Sequence, residues 1–290
     1  MKEFCMPASK SLYCFLNGKI LPEQQAHVSL HDIGLIRSFG VSEVMRSYGG
    51  TTFLFGDHMA RFFRSASSLG LKVPLSPNKI EKVILALLEK NQIDEAQIRM
   101  ILTGGEAISG ILFDKQYPTF FILIEKFIPF PHALYKKGAK LITYEYERTF
   151  PTLKTTGYIA AVAQQARRIK EKAVEILFIS KGKVFEPSTS NICIVKNNTV
   201  VTPKENVLAG TTLNFTLSLA HSFYAIERRE VTLKELLLAD EVFITATNKE
   251  IIPIIDVDGK KIGTGKPGSV TKHLINLFRE RSGSDVMPRL

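Results

Sequence analysis

Lys154 and Glu186 are the two side chains of this sequence whose types and surroundings most invite chemistry. Lys154 follows Pro151-Thr-Leu in a turn between a predicted strand and a predicted helix, and Gly157-Tyr158 sets a phenol one helical turn further on. A lysine in such a turn can project into a cleft, where partial burial lowers its pKa and makes the amine nucleophilic. Glu186 ends a short apolar strand and opens the polar turn Pro187-Ser-Thr-Ser190, followed by Asn191. Opposite an aromatic ring nitrogen, an ionised carboxylate keeps that nitrogen protonated through a charge-assisted hydrogen bond. Downstream, Gly210-Thr211-Thr212 stands where a strand region gives way to a helix, and Thr245-Ala-Thr247 closes another strand. Free amides and hydroxyls at a helix start bind phosphate well.

Each piece also has an ordinary reading. A lone lysine is usually a surface charge, Tyr158 can be a packing residue, and the threonines can be plain helix caps. Taken together, an amine, an acid and two hydroxyl-bearing turns are what a protein needs to hold pyridoxal 5'-phosphate (PLP). The amine forms the Schiff base, the acid partners the ring nitrogen, and the turns take the phosphate. Rival constellations are missing. Thr103-Gly-Gly-Glu-Ala-Ile-Ser-Gly110 lacks the Gly-Lys-Ser/Thr ending of a nucleotide loop, and no GxGxxG or GxSxG occurs. The six histidines show no HExxH or paired-ligand spacing, so no metal site is expected.

Composition narrows the class. The 45% hydrophobic and 23% charged residues are those of an ordinary globular chain, and 290 residues suffice for one large or two medium domains. The net charge of +10 is spread along the chain, with only short knots such as Arg167-Arg168. That pattern speaks for a solvated basic surface and against nucleic-acid binding. It also suits an anionic substrate and cofactor. Three scattered cysteines (Cys5, Cys14, Cys193), no apolar leader and no membrane-length apolar run predict a cytoplasmic protein.

The elements that must position these groups form two α+β units. The first opens with a hairpin, Leu12–Leu16 and Lys19–Leu21 about Asn17-Gly18. Leu35–Arg46 could be helix or strand, and Thr51–Phe55 reads as a short strand. Asp57 is expected to cap a helix over His58–Leu69, and a second helix follows Ser76-Pro77. Strands Gln97–Leu102 and Thr119–Ile124 complete a domain of residues 1–126. The Pro-punctuated stretch 127–137 reads as a linker, and residues 138–290 as the second domain. Its expected elements are strand Ala139–Tyr144, a helix over Ile159–Lys172, and strands Val174–Ser180, Lys183–Phe185, Asn191–Lys196 and Thr199–Thr202. A helix from Thr211 or Thr212 to about Ile226, a capping box at Thr232, strand Glu241–Ala246 and a helix over Ser269–Arg279 follow. The tail from Ser282 to Leu290 reads as disordered.

The order and spacing of these pieces resemble the fold-type-IV, or class IV, PLP-dependent aminotransferases, among them branched-chain and D-amino-acid aminotransferases and aminodeoxychorismate lyase. The likeness spans nearly the whole chain: Asp32-Ile-Gly34, Gly40 with Glu43, Asp57-His58-Met-Ala-Arg61, Lys154, Glu186–Asn191, Leu208-Ala-Gly210, Asp240–Phe243 and Thr247–Pro253. It implies a small α/β N-terminal domain, a larger mixed-sheet, barrel-like C-terminal domain, an active site between them and a homodimer. By position, Lys154 resembles the catalytic Schiff-base lysine and proton carrier, Glu186 the partner of the pyridine nitrogen, and Arg61 the phosphate-binding arginine. Tyr158, Ser190, Thr211, Thr212 and Thr247 fall among the cofactor-binding positions. Arg37 and Arg99 are candidates for the substrate carboxylate, because guanidinium binds carboxylate bidentately, or else for structural ion pairs. Pro187 stands where glycine is usual, Cys193 and Ser42 where aromatics are common, and Leu213 where arginine is usual. Ser109-Gly110-Ile111 lacks the arginine and histidine of D-alanine-type enzymes. The implied reaction moves an amino group between an amino acid, branched-chain type slightly favoured, and a 2-oxo acid. A lyase of the aminodeoxychorismate type and a non-catalytic binding protein are the alternatives.

Overall fold

A computed structural model of the chain describes residues 12–283. Residues 1–11, with Cys5, and Ser284–Leu290 of the tail lie outside the described residues. The chain divides into two compact units. Unit 1 runs to Phe127 and takes in Thr155–Gly157; unit 2 comprises Ile128–Lys154 and the chain from Tyr158 onward.

Unit 1 contains β1 (Tyr13–Leu16), β2 (Lys19–Pro22), α1 (Ile33–Arg37), β3 (Gly40–Tyr48), β4 (Thr51–Thr52), α2 (Phe55–Ser68), α3 (Pro77–Asn91), β5 (Ala96–Thr103), β6 (Ala107–Ser109), β7 (Leu112–Phe113) and β8 (Thr119–Lys126). Six strands form an antiparallel sheet in the order β2-β1-β8-β5-β3-β4. Alternation sets its two faces. On β5 the side chains of Ala96, Ile98, Met100 and Leu102 are buried, while Gln97, Arg99 and Ile101 are half-buried. The apolar stripes of α2 and α3, through Met59, Phe62, Ile80, Ile84 and Leu87, complete that core.

Three boundaries differ from expectation. The ambiguous Leu35–Arg46 stretch is both helix and strand, divided at Ser38, which takes the left-handed conformation at the end of α1 (φ 53°). Phe55 belongs to α2 and not to a strand. Leu54, also left-handed (φ 54°), is the N-cap, so Asp57 sits inside the first turn, where its charge favours the helix dipole without capping it.

Unit 2 contains α4 (His132–Lys137), β9 (Ala139–Glu145), α5 (Ile159–Ala163), α6 (Gln165–Lys170), β10 (Glu175–Ser180), β11 (Lys183–Pro187), β12 (Asn191–Lys196), β13 (Thr199–Thr202), α7 (Thr211–Ala220), β14 (Ala225–Arg228), β15 (Val231–Thr232), α8 (Leu233–Leu237), β16 (Glu241–Ala246), β17 (Glu250–Val257), β18 (Lys260–Lys261) and α9 (Ser269–Ser282). Nine strands run in the order β14-β13-β12-β16-β17-β9-β10-β11-β15, with β18 paired to β17, in a mixed sheet. Ile192, Ile194, Val242, Ile244, Ile252 and Ile254 share one apolar cluster with Tyr135 of α4 and Leu236 of α8. Asn191, Cys193, Phe243 and Thr245 alternate with them and so point to the other face. α7 and α9 pack against β16 and β17. Asn197 and Asn198 both have positive φ, as the two-residue turn between β12 and β13 requires.

Here too some boundaries move. The helix expected over Ile159–Lys172 is broken at Gln164. The helix expected to reach Ile226 stops at Ala220, because Ala225–Arg228 is strand β14, paired in parallel with β13. Thr232 does cap α8, accepting from the Glu235 amide at 3.1 Å. Ser282 closes α9.

Buried charges as well as apolar packing join the segments of unit 2. Glu175, at the start of β10, pairs with Lys249 at 2.6 Å, and both are about 4% exposed. Lys249 also donates to Thr189 at 2.9 Å, and Ser190 donates to Glu175 at 2.8 Å. One ion pair thereby ties the turn after Glu186 to the turn after β16. Burial pushes the Glu175 carboxyl up, but Lys249, Thr189 and Ser190 together outweigh it and hold the group below the ordinary carboxylate range. A carboxylate held low in the folded state stabilises the fold above its unfolded pKa, and that contribution is lost as pH falls through the folded value. Lys249→Met strands Glu175 as an unpaired buried charge and is expected to cost roughly 3–5 kcal/mol in neutral denaturant melts. The deficit should shrink on acidification, since a protonated Glu175 no longer needs the ammonium.

Candidate active site

The loop from β9 to α5 delivers Lys154, and one arginine shapes it. Arg148 donates through Nη1 to the Pro151 carbonyl (3.2 Å) and through Nη2 to the Leu153 carbonyl (2.8 Å). Phe150, between Arg148 and Pro151, has a left-handed φ of 72°, uncommon for an aromatic residue. Its carbonyl accepts the Leu153 amide at 3.0 Å. Leu153 is buried and Lys154 half-buried. The Lys154 Nζ donates to the Tyr158 hydroxyl at 3.4 Å.

Glu186 lies in β11, which extends one residue past it to Pro187, and is 4% exposed. Its Oε1 accepts from Arg148 Nη1 in an ion pair. Its Oε2 accepts from Asn191 Nδ2 at 3.2 Å and from the Leu208 amide at 2.9 Å. Burial pushes the carboxyl above its ordinary value. The opposing influences of Arg148, the Leu208 amide and the Lys154 charge do not fully offset it. The Lys154 charge is thus close enough to be felt by Glu186.

Asn191 links this carboxylate to the start of α7. Its Nδ2 also donates to the Leu208 carbonyl at 2.8 Å, and its Oδ1 lies 1.8 Å from where a Cβ on Gly210 would sit. Gly210 is required there by close approach. It is the N-cap of α7, which has no side-chain cap, and Thr211 and Thr212 follow as its buried first turn. Thr245 stands opposite Asn191 in the β12–β16 ladder, and its buried hydroxyl has no hydrogen-bond partner among the described residues. Thr247, two residues on, is half-buried in the turn before β17.

Unit 2 therefore assembles Lys154, Tyr158 and Glu186 in one contiguous network, and Gly210, Thr211 and Thr212 adjoin it through Asn191. Ser190 belongs elsewhere: its hydroxyl is engaged by Glu175. In unit 1, Arg61 is 5% exposed rather than solvent-facing, and it donates to Glu43 through Nε (2.9 Å) and Nη2 (2.6 Å). His58 Nδ1 lies 3.0 Å from the same Glu43. Burial raises the Glu43 carboxyl, but Arg61 and His58 outweigh it and hold the group far below the carboxylate range. Arg99 is 39% exposed and bridges to Glu125 at 3.4 Å. Arg37 is exposed at the end of α1 and donates to the Ile36 carbonyl at 2.7 Å.

Of the unusual residues, Pro187 is buried in β11 and Leu213 inside α7, while burial pushes the Cys193 thiol up to about 12. Ser42 donates to the Thr155 carbonyl at 3.4 Å within unit 1. Arg148, and the roles of Asn191 and Leu208, escape sequence reasoning. The one available signal is the Asn191 side chain directly after a turn, a place where amides satisfy backbone groups. Nothing in Glu147-Arg-Thr149 separates Arg148 from a surface arginine.

The contact between Gly210 and Asn191 makes a test. Gly210→Ala should displace Asn191 and lower the unfolding midpoint. Gly210→Ala in an Asn191→Ala background should cost less than in the native chain, because the clashing oxygen is gone. Equal costs in both backgrounds would mean that the two residues do not share the space.

Comparison with known proteins identifies the family. Residues 40–257 match the amino-transferase class IV family. A Methanocaldococcus jannaschii protein, itself provisionally named a branched-chain-amino-acid aminotransferase, is 33% identical over 276 residues, 92% of this chain and 95% of that one. The D-alanine aminotransferase of Bacillus licheniformis is 30% identical over 266 residues, covering 89% and 93%. The solved branched-chain aminotransferase of Thermoproteus uzoniensis with norvaline superposes with a TM-score of 0.85 at 26% identity, covering 95% of this chain and 96% of that one. The two α+β units have the fold-type-IV architecture, and the chain belongs to the class IV aminotransferase family.

Proposed function

We propose that the chain uses PLP to move an amino group between an amino acid, of branched-chain type by preference, and a 2-oxo acid. The observation that carries this reading is the pairing, within unit 2, of a half-buried lysine with a buried, arginine-held carboxylate. The residues present fit the cofactor. The uncapped start of α7 and the close Gly210–Asn191 approach suit a phosphate, and Glu186 suits a ring nitrogen. PLP, when bound, supplies an electron sink for the pair left at the substrate α-carbon.

The chain's own residues do the rest. Lys154 holds the cofactor through Nζ and carries the proton to and from the substrate α-carbon. Tyr158 orients that amine. Glu186 presents negative charge to the ring nitrogen. Thr211, Thr212 and Thr247 of unit 2 hold the phosphate. For Arg61 of unit 1, whose guanidinium is held by Glu43, the phosphate role rests on the family resemblance alone. Ser190 serves indirectly, by fixing the turn after Glu186. For the substrate carboxylate, Arg37 is the better of the two candidates, since it has no carboxylate partner among the described residues and Arg99 has Glu125. The branched-chain preference is supported by the 33% identical relative and by the Ser109-Gly110-Ile111 stretch.

No described helix is long and apolar enough to cross a membrane. In this reading the chain works in the cytoplasm, supported by the unpaired buried thiols of Cys14 and Cys193. It works as a homodimer, supported by Ile108, Ile111, Leu112 and Tyr117, all at least 63% exposed about the β6–β7 hairpin.

Absorbance spectra test the reading. The full chain with PLP should show a bound-cofactor band that requires Lys154, is missing in Lys154→Ala, and responds to branched-chain amino acids. A band indifferent to every L- and D-amino acid would contradict transamination. A band answering to D-alanine alone would contradict the substrate preference.

A further inference from the structure

Glu186 is held by three donors whose geometry limits what else it can accept. Its Oε2 takes the Asn191 amide and the Leu208 N–H, which fills both lone-pair positions. Among the described residues its Oε1 takes Arg148 alone, and one position remains. Any further donor, such as a protonated ring nitrogen, must therefore share Oε1 with the guanidinium. The same guanidinium reaches the carbonyls of Pro151 and Leu153, the residue before Lys154.

We propose that Arg148 is a positioning residue of the reaction: one guanidinium fixes the turn that presents Lys154 and holds Glu186 as an anion with its last acceptor position directed at the cofactor. The inference rests on the PLP reading above. Two separable effects are built into the geometry. The first is charge. Burial already raises the Glu186 carboxyl, and Arg148 is the strongest influence opposing it. Without that cation the carboxylate takes up a proton at higher pH, and a neutral carboxyl no longer compensates a protonated ring. The second is shape. A guanidinium is a planar fork that can serve a carboxylate and two carbonyls together. An ammonium is a point charge on a flexible stem and cannot hold the same three acceptors in place.

Arg148→Met removes charge and fork, whereas Arg148→Lys removes the fork alone. Equilibrium binding of PLP to the full-length apo chain, followed across the neutral and mildly acidic range, tells them apart. Arg148→Met should weaken binding by roughly 10–100-fold, the scale of a lost charge-assisted hydrogen bond. It should also move the acid limb of the binding curve to higher pH. Arg148→Lys should weaken binding less and leave the acid limb where the native chain has it. Adding Glu186→Gln removes the titrating group, and should abolish the difference in acid limb between the chain with Arg148 intact and the chain carrying Arg148→Met. Wild-type affinity and pH dependence in Arg148→Met would overturn the inference, as would an equal acid-limb shift in Arg148→Lys. If the native chain binds no PLP, the functional reading falls and this inference with it. Should Arg148→Met fail to fold, Arg148→Lys decides: weakened PLP binding with an unshifted acid limb supports the inference, and wild-type affinity overturns it.

Discussion

A carboxylate buried to 4% exposure and set against a guanidinium is the constraint on which the candidate site depends. Taking Glu186 out of water costs several kcal/mol if it stays ionised. The structure answers with three donors from three separate segments: Arg148 from the loop after β9, Asn191 from the start of β12, and the Leu208 amide from the approach to α7. Each donor reaches Glu186 only if its own segment is in place. The loop that bears Lys154 and the helix start that bears Thr211 are thus tied to the same carboxyl group.

The same device recurs. Glu43 with Arg61, Glu175 with Lys249, and Glu250 with Arg279 are ion pairs of almost wholly buried partners. A buried pair is weak as net stabilisation but severe to break, because the remaining charge is left unsolvated. Such pairs therefore specify geometry. Glu175 and Lys249 join the turns that follow Glu186 and Thr247. Glu250, left-handed at φ 56°, meets Arg279 of α9 at 3.0 Å and fixes the start of β17 against that helix.

How much of this is legible in the sequence follows from the range of each interaction. Local signals suffice for the β1–β2 hairpin at Asn17-Gly18, the cap at Thr232 and the apolar alternation of β5, because turn chemistry and side-chain periodicity act over a few residues. Lys154 and Glu186 stand out through their flanking turns and the family resemblance. Boundaries set by tertiary pairing do not. The helix expected to reach Ile226 runs into a strand that pairs with β13 beside it. The partners of the key groups are equally hidden. Arg148 reads as a surface charge until Glu186 is brought to it across 38 residues of chain. Ser190 reads as a ligand-facing hydroxyl until Glu175 is found beneath it.

The most direct test of the account is the protonation state of the cofactor ring, read by nitrogen-15 magnetic resonance of the full chain loaded with PLP labelled at the pyridine nitrogen. An anionic Glu186 facing that atom predicts a protonated nitrogen in the native protein at neutral pH, and a neutral one when Glu186 is replaced by glutamine. A neutral ring nitrogen in the native protein would contradict the account, since the buried charge around which the site is arranged would then have no counterpart in the cofactor.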